Sequence, residues 1–166
     1  QIYITGTTRV DLDGQTNNGL DDAFISKFNN DGEIQWTRLL GTSEDDRGNS
    51  IAIGNDGSIY VAGASDGNLD GETNSGSGDV FISKFTSNGL KLWTKFVGVS
   101  GYYEDDFNIT YHDIGINLGS DDSNEIYISG NTTRDLEGKI LGSFDYDAFI
   151  SKFNSDGDKQ WTKLLG

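Results

Sequence analysis

Oxygen-bearing side chains recur at matched positions along this chain. Asp11, Asp13 and Asp22 return as Asn68, Asp70 and Asp79, and again as Asp135, Glu137 and Asp147. Clustered oxygens on a glycine-rich loop are what Ca²⁺ requires, because it takes six to eight oxygen ligands in flexible geometry. Asp11-x-Asp13-Gly14 resembles the opening of a calcium loop, although the spacing that follows is not that of an EF-hand. The competing reading is structural: Asp and Asn initiate turns by accepting hydrogen bonds from nearby backbone. All nine positions stand as candidate calcium ligands, with turn formation as the alternative.

A second set is Glu44-Asp45-Asp46, repeated as Glu104-Asp105-Asp106. Paired carboxylates can act as general acid and base. Their repetition argues for a structural device, since an active site is built once and a structural element is copied. His112 is the single histidine and has no cysteine or second histidine to join it as a metal ligand. Gly76-Ser77-Gly78 has no Lys-Ser or Lys-Thr behind it, so it is not a phosphate loop. Asn108-Ile109-Thr110 and Asn131-Thr132-Thr133 fit the glycosylation sequon, which matters only in a glycosylating secretory route. Tyr102, Tyr103 and Tyr111 offer either a carbohydrate or protein contact patch or packing against a neighbouring unit.

These residues hang on a repeated frame. Asp22-Ala23-Phe24-Ile25-Ser26-Lys27-Phe28 with Trp36-Thr37 returns as Asp79 to Phe85 with Trp93-Thr94, and as Asp147 to Phe153 with Trp161-Thr162. Upstream of each stands Ile2-Tyr3-Ile4, Ile59-Tyr60-Val61 or Ile126-Tyr127-Ile128. An internal repeat of this kind decides the architecture before other signals. The runs are short and rich in β-branched and aromatic residues, which is strand chemistry. Asn30-Asp31-Gly32, Asn55-Asp56-Gly57, Ser87-Asn88-Gly89 and Ser155-Asp156-Gly157 between them place glycine where a tight turn needs positive φ. No window shows apolar residues at helical spacing. Each unit reads as four strands: an Ile-Ala-Ile strand, the Ile-Tyr strand, the Phe strand and the Trp strand. Phe24 and Phe28 face one side and Ile25 the other, so each sheet should be packed on both faces. Stacked propeller blades do this, whereas a β-sandwich does not explain the repeat.

Composition excludes several functions. The chain has 166 residues with 27 acidic and 12 basic side chains, a formal charge of −15. Such a surface repels phosphate backbones and anionic membranes. There is no cysteine, hence no disulfide or thiolate chemistry. No apolar run is long enough for a membrane-spanning helix.

The repeat resembles the SBBP-type β-propeller repeat of bacterial secreted and surface proteins. The marks are Asp-Ala-Phe-Ile-Ser-Lys-Phe, Asn-x-Asp-Gly, Trp-Thr, Leu-Gly followed by Asp-Asp, and Gly-Ser-Ile-Tyr-Val-Ala-Gly. The longer segment from Gly101 to Glu125 and the third acidic loop at Glu137 depart from it. The resemblance implies an all-β fold and an extracellular or cell-surface location, and it supplies no catalytic residues.

The expectation is three antiparallel blades with about eleven strands in all: repeat 1 over residues 1–43, repeat 2 over 44–100, and repeat 3 over 101–166 with an inserted loop at 101–125. The first blade should lack its Ile-Ala-Ile strand. The expected function is a non-catalytic structural or adhesive module, a scaffold or filament component, with calcium stabilisation. The alternative is a propeller-fold glycan hydrolase or a lectin-like carbohydrate binder, which needs carboxylates from different units to converge. The expected partners are further repeats of the same protein or identical subunits, or a surface protein or glycan, with no nucleic acid and no membrane insertion. The three units are expected to belong to a longer protein or to an assembly.

Overall fold

A computed structural model describes residues 1–74, 78–97, 115–118, 125–132 and 147–165, with residues 115–118, Thr132 and Asp147 in backbone only. The architecture is all-β, and no helix occurs among the described residues. Three antiparallel sheets follow one another along the chain. The first contains β1 (Ile2–Thr8), β2 (Asp22–Phe28) and β3 (Ile34–Leu40) in that order. The second contains β4 (Asp46–Ile53), β5 (Ile59–Ser65), β6 (Asp79–Phe85) and β7 (Lys91–Phe96). The third contains β8 (Gly115–Leu118), β9 (Ile126–Thr132), β10 (Asp147–Phe153) and β11 (Lys159–Leu165). The eleven strands among the described residues and the three-stranded first sheet agree with the reading of the repeat. Among the described residues the sheets do not close into a ring. β4 begins at Asp46, so the acidic triplet runs into the strand.

Each segment of the repeated motif has a defined place. In the register, Phe24, Ser26 and Phe28 share one face of β2, while Ala23, Ile25 and Lys27 share the other. In the middle sheet, Ile59, Val61, Phe81 and Phe85 pack with Ala23, Ile25 and Leu40 of the first sheet. Tyr60, Ala62, Ala64, Ile82 and Val97 pack the opposite way, with Ile126, Ile128, Phe149 and Phe153 of the third. The middle sheet is therefore covered on both faces. Burying a side chain such as Phe81 contributes roughly 1.5–3 kcal/mol.

The motif's polar residues pair within their own sheet. Ser26 and Thr37 share a hydrogen bond of 2.9 Å, and Ser83–Thr94 and Ser151–Thr162 repeat it at 2.7 Å. The hydroxyls satisfy one another between the apolar layers, as buried polar groups must. A bulge at Lys27/Phe28 recurs at Lys84/Phe85 and Lys152/Phe153.

Candidate functional site

The described candidate calcium residues mostly hold loops. Asp11 Oδ1 accepts the amide of Asn17 at 2.9 Å, and Asp22 Oδ2 accepts the next amide, of Asn18, also at 2.9 Å. In the second unit Asn68 Oδ1 accepts the amide of Asn74 at 2.9 Å. A neutral carboxamide does there what Asp11 does in the first unit. The position needs an acceptor oxygen and not a charge. Asp13 and Asp70 adopt left-handed φ values of 50° and 56°, which Asp tolerates in turns. Asp70 also pairs with Lys91 and the Thr94 hydroxyl, tying its loop to β7. Asp79 is buried at the start of β6. Asp135 and Glu137, and the side chain of Asp147, lie outside the described residues, as do Glu104-Asp105-Asp106, His112, Tyr102, Tyr103, Tyr111, Gly76, Ser77 and Asn108. Among the described residues no group of three or more His, Asp or Glu side chains is arranged to hold a metal ion.

Sequence reasoning missed Asn17 and Asn74. Asn17 Nδ2 donates to the Thr8 carbonyl at 3.1 Å and Asn74 Nδ2 to the Ser65 carbonyl at 2.6 Å, closing each loop on the end of its strand. Their signal was present as the repeated Gly-x-Thr-Asn at Gly14 to Asn17 and Gly71 to Asn74.

The acidic triplet forms the seam between the first two sheets. Asp46 is fully buried, and its Oδ2 accepts from the Thr42 amide at 2.5 Å and the Thr42 hydroxyl at 2.8 Å. Its own amide donates to the Asp21 carbonyl at 2.6 Å, crossing from sheet to sheet. Asp21 is held by Arg9 at 2.5 Å, and Asp45 faces Arg47 at 3.5 Å. Asp22 is buried against Gly41: a Cβ on that glycine would lie 2.2 Å from Asp22 Oδ1. This close approach explains the glycine that ends the Leu-Leu-Gly segment.

The seam opens on a cleft of about 560 Å³, lined by Gly41 to Glu44 and Asp66 to Asn68. Here the electrostatics are unusual. Burial pushes the Asp66 carboxyl up to about 6, reinforced by Asp45, Asp46 and Glu44 and opposed by Arg47. Burial also raises Asp46, countered by hydrogen bonds from Ser65 and Thr42, and raises Asp22, countered by the Asn18 amide. One oxygen each of Asp22, Asp46 and Asp66 is buried without a hydrogen-bond partner. Carboxylates of two units meet in the seam, Asp22 beside Asp46, whereas Glu44 and Asp66 on the cleft wall both belong to the second repeat.

A third recurring arrangement joins neighbouring sheets. Tyr3–Trp36, Tyr60–Trp93 and Tyr127–Trp161 each meet in a tilted pair with ring centroids 6.2 Å apart. Lys27, Lys84 and Lys152 hold their ammonium groups over the tyrosines at 5.5, 5.3 and 5.8 Å. Lys27 Nζ then donates to the Ser87 carbonyl of the next sheet and Lys84 Nζ to that of Ser155, both at 3.0 Å.

Comparison with known proteins agrees with this geometry. The chain is 29% identical over 162 residues to "Regulatory protein FlaEY" of Caulobacter vibrioides (strain ATCC 19089 / CIP 103742 / CB 15). The match covers 92% of this chain and 16% of that protein, so the chain spans a small part of its relative's length. Residues 35–70 match the SBBP family model, described as a beta-propeller repeat. That stretch runs from the Trp strand of the first sheet through the acidic seam to Asp70, and over these residues the chain matches a β-propeller repeat.

Proposed function

We propose that this chain is a non-catalytic structural module, a scaffold or filament component of an extracellular or cell-surface β-propeller protein. The observation that carries this reading is the use of its recurring polar residues. Ser and Thr pair across strands, Lys and Trp join one sheet to the next, and Asp11 and Asn68 close loops. Residues copied in every unit for internal contacts are engaged in building, and an active site needs groups that are free to react. The surface location rests on the resemblance to repeats of secreted and surface proteins, and the charge of −15 suits a soluble surface. Its partners on this reading are blades of the same kind.

One observation favours a second reading. Asp66 stands on an open cleft with its carboxyl raised to about 6, beside Glu44 and Asp45. A carboxyl held protonated by its surroundings beside a second carboxyl is the pairing used in glycoside hydrolysis. The two readings separate on one assay. The protein is incubated with a panel of polysaccharides and aryl glycosides between pH 5 and 7, and new reducing ends or released phenol are measured. The scaffold reading expects no turnover. Turnover that disappears in Asp66→Asn would overturn it and establish the hydrolase.

A further inference from the structure

The joint between sheets has two halves. One half is the Tyr-Lys-Trp face of a sheet. The other is the Asn-x-Asp-Gly type turn of the sheet that follows. At the first joint the backbone of the turn lies flat on the indole: a Cβ on Gly89 would sit 3.0–3.1 Å from the Trp36 ring. Lys27 reaches the Ser87 carbonyl at 3.0 Å and Arg38 Nε the Gly89 carbonyl at 3.1 Å. At the second joint Gly157 stands 3.0–3.2 Å from Trp93 by the same measure, and Lys84 reaches Ser155.

Among the described residues each half also occurs once without its mate. The third sheet carries the Tyr127–Trp161 pair with Lys152 over the tyrosine, already in the geometry of the other two. No described turn lies on it, and Lys152 turns instead to Glu125 at 2.5 Å. Leu165 on this face is 63% exposed, whereas its counterparts Leu40 and Val97 are 2% and 1% exposed inside the joints. The first sheet carries the other half. Gly32 has the φ of +83° that Gly89 and Gly157 share at +78° and +86°, and nothing lies within 4 Å of where its Cβ would be. Ile2 and Ile4 beside it are 50% and 40% exposed, whereas Ile59 and Val61 at the same positions are 0% and 1%.

We propose that these two faces bind each other between copies of the chain, Trp161 of one copy lying on the Gly32 turn of a second copy in a head-to-tail interface. Lys152 then leaves Glu125 for the carbonyl of Asn30, which occupies the place of Ser87 and Ser155. Leu165 meets the face formed by Ile2, Ile4, Phe24 and Phe28. This rests on the scaffold reading and names its partner. The interface is heterologous, so it propagates unless its geometry closes. The charge of −15 on each copy opposes association and is screened by salt.

The test is molar mass by light scattering over a concentration series at about 0.15 M salt. The wild type is expected to rise above the chain mass of 18.1 kDa as concentration increases. Trp161→Ala removes the tail half and Ile4→Glu the head half. Each alone is expected to weaken association about 30-fold or more, the loss typical of a central aromatic anchor. Mixed together they retain one intact head and one intact tail, and are expected to stop at a dimer. If Trp161→Ala loses its cooperative melt, Leu165→Glu takes its place. A wild type that stays monomeric up to about 1 mM overturns the proposal, and so does wild-type association in either variant. A monomeric wild type leaves the scaffold reading standing, and glycan turnover would sink that reading without altering these masses.

Discussion

At the scale of the residue, oxygen atoms do the work and charge is incidental. Asp11 and Asn68 accept the same amide in two loops, one charged and one neutral. Asp11→Asn is therefore expected to change stability by less than about 0.5 kcal/mol, and Asp11→Ala to cost about 1 kcal/mol. Chemical denaturation measures both. The same proteins test the calcium reading. Loops that hold by hydrogen bonds alone would leave the melting temperature of each unchanged when millimolar Ca²⁺ is added after chelation. Calcium at ten times its dissociation constant would instead stabilise the wild type by about 1.4 kcal/mol. Asp66 is the opposite case, where charge is the liability. Burial pushes its carboxyl up to about 6 from the ordinary aspartate value, so the folded state holds the proton more tightly than the unfolded chain does. The resulting destabilisation is full above pH 6 and fades as pH falls from 6 towards 4. Asp46 and Asp22 are raised in the same direction. Melting temperature should rise from pH 7.5 to pH 5, and Asp66→Asn should stabilise the fold at pH 7.5 by on the order of 1 kcal/mol after solvent screening.

At the scale of the element, one strand sequence meets different surroundings in each copy. Phe81 is fully buried between sheets, whereas Phe24 at the same position of the first sheet is half-buried. Phe81→Ala should cost about 3–5 kcal/mol, as large-to-small changes in a closed core do. Phe24→Ala should cost roughly half as much, because part of its surface already meets water. Urea midpoints of the two variants decide this, and equal costs would mean that the first sheet's outer face is covered. Ser83 offers a sharper case. Its hydroxyl and that of Thr94 satisfy each other at 2.7 Å inside the sheet. Ser83→Ala should cost about 1–3 kcal/mol by leaving Thr94 a weaker set of partners.

At the scale of the whole molecule, stacking accumulates like charge. Fifteen net negative charges on 166 residues repel one another in the compact state. Raising salt from about 0.01 to 0.15 M shortens the screening length from roughly 30 to 8 Å. The melting temperature is expected to rise with salt over that range, and a flat or falling salt profile would show that ion pairs such as Arg9–Asp21 outweigh the net repulsion. The middle sheet, packed on both faces, should be the last to open, and amide exchange should be slowest in β5 and β6.

Much of the architecture was legible in the sequence because the repeat is local. Three copies of one strand pattern, with glycine at each turn, determine strand number, order and pairing, since period two and turn chemistry act over a few residues. The alternation of Phe24 and Ile25 predicted that each sheet is packed on both faces, and among the described residues only the middle sheet is so covered, with Ile2, Ile4 and Leu165 left exposed on the other two. The sequence could not say how sheets meet, because that depends on surfaces distant along the chain. Tertiary structure alone decided that Gly89 lies against Trp36, that Lys27 reaches Ser87, and that Asp22 nestles against Gly41. It also decided that the acidic triplet splits its roles, with Asp46 buried under Thr42 and Glu44 left on the cleft. A carboxyl's titration is set by burial and by neighbours from other strands, so only the packed seam could raise Asp66 to about 6.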